Sequence, residues 1–163
     1  MKSKISHFVF FAILIFSISI RVYYIQEQSR QRHFCLTTYD GLGYYMYLPA
    51  GLIYNDVRQL NWLPAIDKQY SVIGGWQYQT IKEKNGNFVF KYLGGTAIMQ
   101  LPFFIMGHVV AKTWGYQADG FSPPYQYALV LAAFFYAFVG LFIYAVSSCS
   151  ILRIKLWQSR SCC

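Results

Sequence analysis

The stretch that decides the fold is YALVLAAFFYAFVGLFIYAVSSCSIL, which runs from Tyr127 to Leu152. A helix needs about 20 mainly apolar residues to cross the hydrocarbon core of a bilayer, so this stretch predicts a transmembrane helix. Small residues along it favour close packing against another helix. They are Ala132, Ala133, Ala137, Gly140 and Ala145.

The overall composition is typical of a membrane protein. The 163 residues are 56% hydrophobic and 12% charged, whereas a soluble domain carries about twice that charged fraction. This composition excludes a soluble hydrolase, and the chain shows no nucleophile–base motif and no phosphate loop. The net charge of +8 favours anionic lipid headgroups or a phosphorylated ligand. No dense run of Lys and Arg predicts a nucleic-acid partner.

Two further apolar stretches precede this one. Residues 1–25 predict an uncleaved signal-anchor transmembrane helix, because no small-residue cleavage site follows them. Residues 93–111 predict a second membrane segment, kinked at Pro102. A connector at 112–126 and a basic tail at 153–163 complete the chain. The predicted fold is an all-α membrane protein with two to three transmembrane helices.

The topology signals conflict. Lys2 and Lys4 favour a cytoplasmic N-terminus, which places the following loop on the outer face of the membrane. Three full spans then put the basic tail outside, against the positive-inside rule. Either 93–111 is re-entrant or interfacial, or three spans are correct and the tail is atypical. The sequence alone leads us to favour three spans.

The long first loop, residues 26–92, has two predicted elements. Residues 44–54 predict an amphipathic helix on the membrane surface, because they are too short and too polar to span it. Two β-type runs, 76–82 and 88–92, flank Asn85-Gly86, which is a strong signal for a β-hairpin.

Two acidic residues of this loop are candidates for chemistry. Asp40 stands among tyrosines and glycines in TYDGLGYYMYLP, residues 38–49. It is either the N-cap of the following helix or a catalytic or ligand-binding group. Asp56 is either a turn residue, which we favour, or a second acid.

Two basic residues also stand out. Lys91 precedes Gly94-Gly95 and is either a phosphate-binding lysine or, as is more common, a flanking residue that reaches the membrane interface. His108, inside the second apolar stretch, is a functional candidate because ionisable groups there are costly. A hydrogen-bonded structural role for it is the favoured alternative.

Metal and cofactor sites are not indicated. The four cysteines have neither metal-ligand spacing nor the pattern of a secreted disulfide framework. We predict no cofactor, and two isolated carboxylates do not make a metal site, although a divalent metal stays open. Cys162 and Cys163 are either palmitoylation sites or part of an arbitrary tail.

Four pieces of the sequence together resemble a known class of enzyme. They are Tyr39–Tyr45 with Leu48–Ala50, Lys91–Ala97, Leu101–Phe104 and Asp119–Ser122. With the N-terminal span and the long outer loop, they resemble the N-terminal part of bacterial integral-membrane glycosyltransferases of the GT-C class. The chain is similar to the dolichyl-phosphate-mannose protein mannosyltransferase type. The resemblance extends to about Leu156.

The resemblance implies a chemistry and its residues. The donor would be a sugar on a polyprenyl phosphate, and Asp40 would match the acidic residue that takes a proton from the acceptor hydroxyl. Lys91 would stabilise the departing phosphate, and Asp56 would be a second acid. The class usually has two acids close together, whereas Gly41 follows Asp40 here. Its members also have more spans, so we expect a truncated or frameshifted member that is inactive alone.

A second hypothesis involves no catalysis. The chain would be a small multi-pass membrane protein that acts as a subunit or assembly partner. Its Ala/Gly-rich face in 127–152 would pack against a larger membrane protein. A transporter is a weaker third hypothesis, because paired broken helices and midplane charges are missing from the sequence.

Overall fold

The computed structural model describes residues 11–20, 22–24, 27, 35–74 and 79–160; for residue 145 and residues 149–160 it describes the backbone alone. This part of the chain is mostly helical with few strands. It divides into two compact units, each made of two segments. The first unit is Met1–Gly43 with Asp56–Tyr92, and the second is Tyr44–Asn55 with Leu93–Cys163.

Six helices and two strands follow in order along the described residues. The helices are α1 Phe11–Tyr24, α2 Tyr39–Tyr45, α3 Tyr47–Leu52, α4 Leu63–Tyr70, α5 Gly95–Thr113 and α6 Pro123–Arg160. The strands are β1 Thr80–Lys82 and β2 Phe88–Phe90. Only Met46 separates α2 from α3, so the predicted segment 44–54 contains the end of one helix and the whole of the next.

The first unit contains a β-hairpin around Asn85-Gly86. Strands β1 and β2 pair antiparallel, with Thr80 opposite Phe90 and Lys82 opposite Phe88. Gly86 has a φ of 85°, a left-handed conformation that glycine adopts without strain. The strands are shorter than the predicted runs, and residues 76–78 of the first run lie outside the described residues.

Helix α4 also belongs to the first unit, and the sequence had not predicted it. Its buried residues Leu63, Ile66 and Tyr70 recur at helical spacing and form one apolar face. The helix ends at Ser71, which is left-handed and donates its N–H to the Asp67 carbonyl at 2.7 Å. The helix was missed because its eight residues contain only three buried positions, too few for the helical period to stand out in the sequence.

In the second unit, α5 packs against the first half of α6. A Cβ atom on Gly107 would lie 3.1 Å from the Tyr125 Cα and 3.2 Å from the Ala128 Cβ, so the backbones approach closely there. Towards the start of α5, the Tyr136 hydroxyl donates to the Met99 carbonyl at 2.8 Å. The two helices therefore run in opposite directions.

Helix boundaries differ from the predicted ones. Helix α5 continues through Pro102 to Thr113. Helix α6 has 38 residues and extends from Pro123 to Arg160, so the predicted tail 153–163 is helical as far as Arg160. The helix continues into the basic residues because Lys and Arg are good helix formers and suit the last turns of a helix.

Segment Tyr44–Asn55 packs on the connector between α5 and α6. The Tyr45 ring lies 5.8 Å from the Phe104 ring and 5.6 Å from the Phe121 ring, between centroids. Its hydroxyl donates to the Gly120 carbonyl. The Tyr54 hydroxyl donates to the Asp119 carbonyl at 3.0 Å, and burial with the Asp119 charge raises the pKa of Tyr54 to about 12. Tyr54 therefore stays a neutral donor over the physiological range.

Helix α6 carries the apolar surface predicted for a membrane span. Among the described residues, Pro123–Ser148 is the one helical stretch long and apolar enough to cross a bilayer. Its mean hydropathy is 2.4, and 6% of its most apolar 18 residues are buried. Phe11–Tyr24 is a shorter apolar helix. Large apolar side chains are exposed along α6 and include Leu131, Phe135, Phe138, Leu141, Phe142, Ile143 and Val146.

Candidate functional site

Asp40 lies in the first turn of α2 and is exposed. It is not the N-cap, because the helix already begins at Tyr39. Its Oδ1 atom accepts a hydrogen bond from the Tyr92 hydroxyl at 2.5 Å. A carboxylate in the first turn is also favoured by the partial positive charge of the helix N-terminus. Asp40 is thus held in place by a residue at the far end of the loop.

Gly43 makes room for this contact. A Cβ atom at Gly43 would lie 2.2 Å from the Tyr92 Cδ2 atom, far inside van der Waals contact. The Tyr92 ring therefore lies flat against the backbone of α2, one helical turn after Asp40. Any residue larger than glycine would displace the ring and with it the donor to Asp40.

Gln79 connects the hairpin to the start of α2. Its side chain is fully buried, and its Nε2 atom donates to the Tyr39 carbonyl at 3.1 Å. Its own carbonyl accepts the Lys91 N–H at 3.1 Å. The residue just before β1 therefore bonds both to the first turn of α2 and to the residue just after β2. In the described part of the chain no donor meets the Gln79 Oε1 atom.

Two of the three predicted site residues are linked through Tyr92 and the chain. Asp40 is reached by Tyr92, and Lys91 is the residue before it. The Lys91 side chain is exposed. The backbone of Lys91 is held by its hydrogen bond to Gln79, whereas its ammonium group lies at the end of a flexible side chain. The Asp40 carboxylate and the Lys91 side chain are both exposed to solvent.

Both carboxylate oxygens of Asp56 accept hydrogen bonds from its own loop. Its Oδ1 and Oδ2 atoms accept the N–H groups of Gln59 and Asn61, both at 2.8 Å. These backbone hydrogen bonds, the one from Asn61 first, lower the pKa of Asp56 below its ordinary value. The geometry is that of the favoured turn residue, and the described contacts do not bring Asp56 to Asp40. Its role as a second acid stays a prediction.

Among the described residues, no three His, Cys, Asp or Glu side chains form a group that could hold a metal ion. Cys35 is a buried free thiol beside Thr37, and burial raises its pKa. It is therefore a poor nucleophile. The side chains of the other three cysteines lie outside the described residues.

His108, in the second unit, has structural partners. Its Nδ1 atom shares a hydrogen bond with the Tyr125 hydroxyl at 2.5 Å. The Phe104 ring stacks on its imidazole with centroids 6.4 Å apart and planes inclined by 12°. These contacts suit the hydrogen-bonded structural role that the sequence favoured for this residue.

Sequence reasoning missed Tyr92 and Gln79. Tyr92 lies 52 positions from Asp40, and neither residue belongs to a motif that would pair them. The available signal was Gly43, a glycine inside a helix, which indicates close approach of another group.

No protein-family model, curated protein or solved structure matches the chain. The functional argument therefore depends on the residues described above.

Proposed function

We propose that this chain is the N-terminal part of a membrane-embedded glycosyltransferase of the GT-C type. It would transfer a sugar from a polyprenyl-phosphate donor to an acceptor hydroxyl, with Asp40 as the base. The observation that carries this proposal is the hydrogen bond from Tyr92 to Asp40. It fixes an exposed carboxylate to the residue that follows Lys91 in the chain, in a segment where the sequence resembles that class.

The geometry fits the chemistry of such a transfer. Asp40 would accept the proton of the acceptor hydroxyl as its oxygen attacks the anomeric carbon. The bond from that carbon to the phosphate oxygen breaks, and the polyprenyl phosphate leaves with the electron pair. The Lys91 ammonium would compensate the phosphate charge. The Asp56 carboxylate stabilises its own loop through hydrogen bonds, and we assign it no step in the transfer reaction.

The membrane location is part of the same proposal. The chain would lie in a bacterial inner membrane as a multi-pass protein, with the Asp40 loop on the outer face. Support comes from the large apolar side chains exposed on α6 and on Phe11–Tyr24. An exposed apolar surface of this extent indicates a membrane or a protein partner.

Donor binding is the first test, because it does not require a complete enzyme. The chain purified in detergent is incubated with polyprenyl phosphate carrying radiolabelled mannose, and the bound label is measured after gel filtration. We expect saturable binding that unlabelled polyprenyl phosphate displaces. Lys91→Ala should weaken binding several-fold, whereas Lys84→Ala at the exposed hairpin turn should leave it unchanged. Equal binding by both variants would refute the assignment of Lys91.

Sugar transfer is tested in a longer polypeptide that has this chain as its N-terminal part. Asp40→Asn should abolish release of the sugar from the lipid, while the protein accumulates to its normal level. Asn is nearly isosteric with Asp but cannot take the proton, so the comparison isolates the base. Unchanged transfer would remove Asp40 from the mechanism.

A non-catalytic partner role is the second candidate. The small residues Ala133, Ala137 and Gly140 are exposed and share one face of α6. Such a face allows another transmembrane helix to approach closely. This hypothesis predicts stable co-purification with a larger membrane protein. A monodisperse protomer that binds the donor lipid in detergent would count against it.

A further inference from the structure

We propose that the groove between the end of α5 and the start of α6 binds one fatty acyl chain of a membrane phospholipid. The groove has a volume of about 290 Å³ and belongs entirely to the second unit. This inference depends on the membrane insertion proposed above but not on glycosyl transfer, because Asp40 and Lys91 belong to the first unit. The occupant is a lipid that stays with the protein, not the donor of the reaction.

One side of the groove is formed by the end of α5 and the turn after it. Met106 and Val110 line it and are neighbours on one helical face, since they are four residues apart. After the helix, Gly115 is left-handed with a φ of 74°, and Tyr116 donates its N–H to the Ala111 carbonyl at 2.9 Å. This is the bond of a Schellman motif, which folds the chain back after a helix. It brings Tyr116 to the groove.

The other side is formed by the first turns of α6. Pro123 and Pro124 begin this helix and offer no N–H group to a ligand. Tyr127, Ala128 and Leu131 follow at helical spacing. Among the described residues that line the groove, none is charged. An apolar cavity of this kind excludes water and takes up apolar molecules, so its ligand is a hydrocarbon.

The volume of the groove distinguishes between two apolar occupants, a lipid chain and a protein helix. Two turns of a helix about 10 Å wide have a volume of roughly 850 Å³, and the groove has about a third of that. A second helix could rest on the groove but could not fill it. The groove is close to the lower limit of small-ligand sites, which is about 300 Å³. A single acyl chain is the membrane component of suitable size.

The depth of the groove also favours a lipid. Its α6 residues stand at the beginning of the apolar stretch Pro123–Ser148, so a crossing α6 places the groove where the hydrocarbon core meets the headgroups. Three large rings of the groove, those of Trp114, Tyr116 and Tyr127, are 75%, 47% and 53% exposed. Trp and Tyr are enriched at that level of a membrane. Beyond them the exposed Leu131 continues the apolar surface, so an acyl chain enters from the bilayer without crossing polar groups.

A concave site holds such a chain more firmly than a single exposed side chain does. A hydrocarbon in the groove contacts atoms of α5, of the turn after it and of α6. Dispersion attraction is small for each pair of atoms and adds up over many pairs. A chain that lies against one exposed residue is contacted from one side only. The groove should therefore retain its lipid when the surrounding bilayer is removed.

Native mass spectrometry tests the inference. The full chain is reconstituted in vesicles of dioleoyl phosphatidylcholine, recovered by flotation and extracted in a mild detergent, and the spectra count the phospholipid molecules that stay bound. Met106→Trp and Val110→Trp each place a large ring in the groove. Ile105→Trp and Val109→Trp are the matched controls, because these neighbouring residues are exposed and do not line the groove.

Circular dichroism checks that each variant keeps its helices. Met106 is itself exposed, so a ring at this position has room, and Met106→Trp carries the test if Val110→Trp unfolds. We expect one phospholipid for each unmodified chain. The fraction of chains with a bound lipid should be several-fold lower in each groove variant than in its control.

Four results would contradict the inference. Equal retention in groove variants and controls would overturn it, as would an unmodified chain that retains no lipid. Displacement of the phospholipid by an equal concentration of polyprenyl phosphate would assign the groove to the donor's tail and overturn the acyl-chain assignment. A dimer that only the groove variants dissociate would assign the groove to a second copy of the chain. A chain that does not float with the vesicles would instead refute membrane insertion itself.

Discussion

Tyr92 determines where the Asp40 carboxylate points, and a double-mutant cycle measures that bond. We compare Tyr92→Phe, Asp40→Asn and the double variant by chemical unfolding in detergent. The expected coupling energy is about 1 kcal/mol, because a net hydrogen bond contributes about 0.5–1.5 kcal/mol. Tyr92→Phe keeps the ring against Gly43, so the cycle isolates the hydroxyl. Additivity within about 0.3 kcal/mol would show that the two groups do not interact.

Asp56 should make stability depend on pH. Hydrogen bonds to its carboxylate lower its pKa below the ordinary value of 3.8. Its contribution is therefore fully present above that ordinary value and is lost as pH falls through the lower folded value. Asp56→Asn should reduce the free energy of unfolding at pH 7, and its deficit against the unmodified chain should shrink in acid.

Glu83→Gln is the control for this prediction. It also removes one negative charge from an exposed turn, where Glu83 accepts a hydrogen bond from Asn85 at 3.2 Å. A surface substitution of this kind changes stability by about 0.5 kcal/mol or less. A deficit for Asp56→Asn that is the same at all pH values would contradict the assignment.

At the scale of elements, the sequence predicted the features that depend on neighbouring residues and missed those that depend on long-range contacts. The Asn85-Gly86 turn and the apolar runs of α5 and α6 were visible because each depends on neighbouring residues. Helix α4 was missed because it is only eight residues long and few positions carry its period. The Tyr92–Asp40 bond and the Gln79 link join residues many positions apart, and no periodicity encodes such pairing. The acid was therefore a candidate from sequence, but its positioning residues were not.

Close approach of α5 and α6 depends on Gly107. Gly107→Val should lower the free energy of unfolding by about 1–3 kcal/mol, because overpacking a filled contact costs that much. Gly140→Ala in α6 is the matched control, since a Cβ atom there meets nothing within 4 Å. It should be neutral or stabilise by about 0.5–1 kcal/mol, as expected for alanine in place of glycine within a helix. Thermal unfolding of both variants measures the difference, and equal effects would contradict the close contact.

At the scale of the whole molecule, insertion should depend on the middle of α6. Phe138→Arg with Leu141→Arg places two charges on exposed positions of this helix. Each charge costs about 2.5–3.5 kcal/mol at the centre of a membrane helix. Fewer chains should then place Cys163 on the far side of the membrane, as measured by maleimide labelling.

Ser147→Arg with Ser148→Arg adds the same two charges at the end of the apolar stretch. Arginine side chains there reach the interface at little cost, so labelling of Cys163 should match that of the unmodified chain. An equal loss of Cys163 labelling in both double variants would mean that the position of the charges along α6 does not matter, which contradicts a crossing helix.

The length of α6 has one more consequence. Its 38 residues extend about 57 Å at about 1.5 Å per residue, whereas the hydrocarbon core is about 30 Å thick. If α6 crosses a bilayer as proposed, its last turns would pass beyond the headgroups and hold the basic residues after Leu152 in the aqueous phase. There α6 would act as a rigid spacer, and its tilt would set how far those residues stand from the lipid surface. A thicker bilayer would then draw them inward and a thinner one would push them outward.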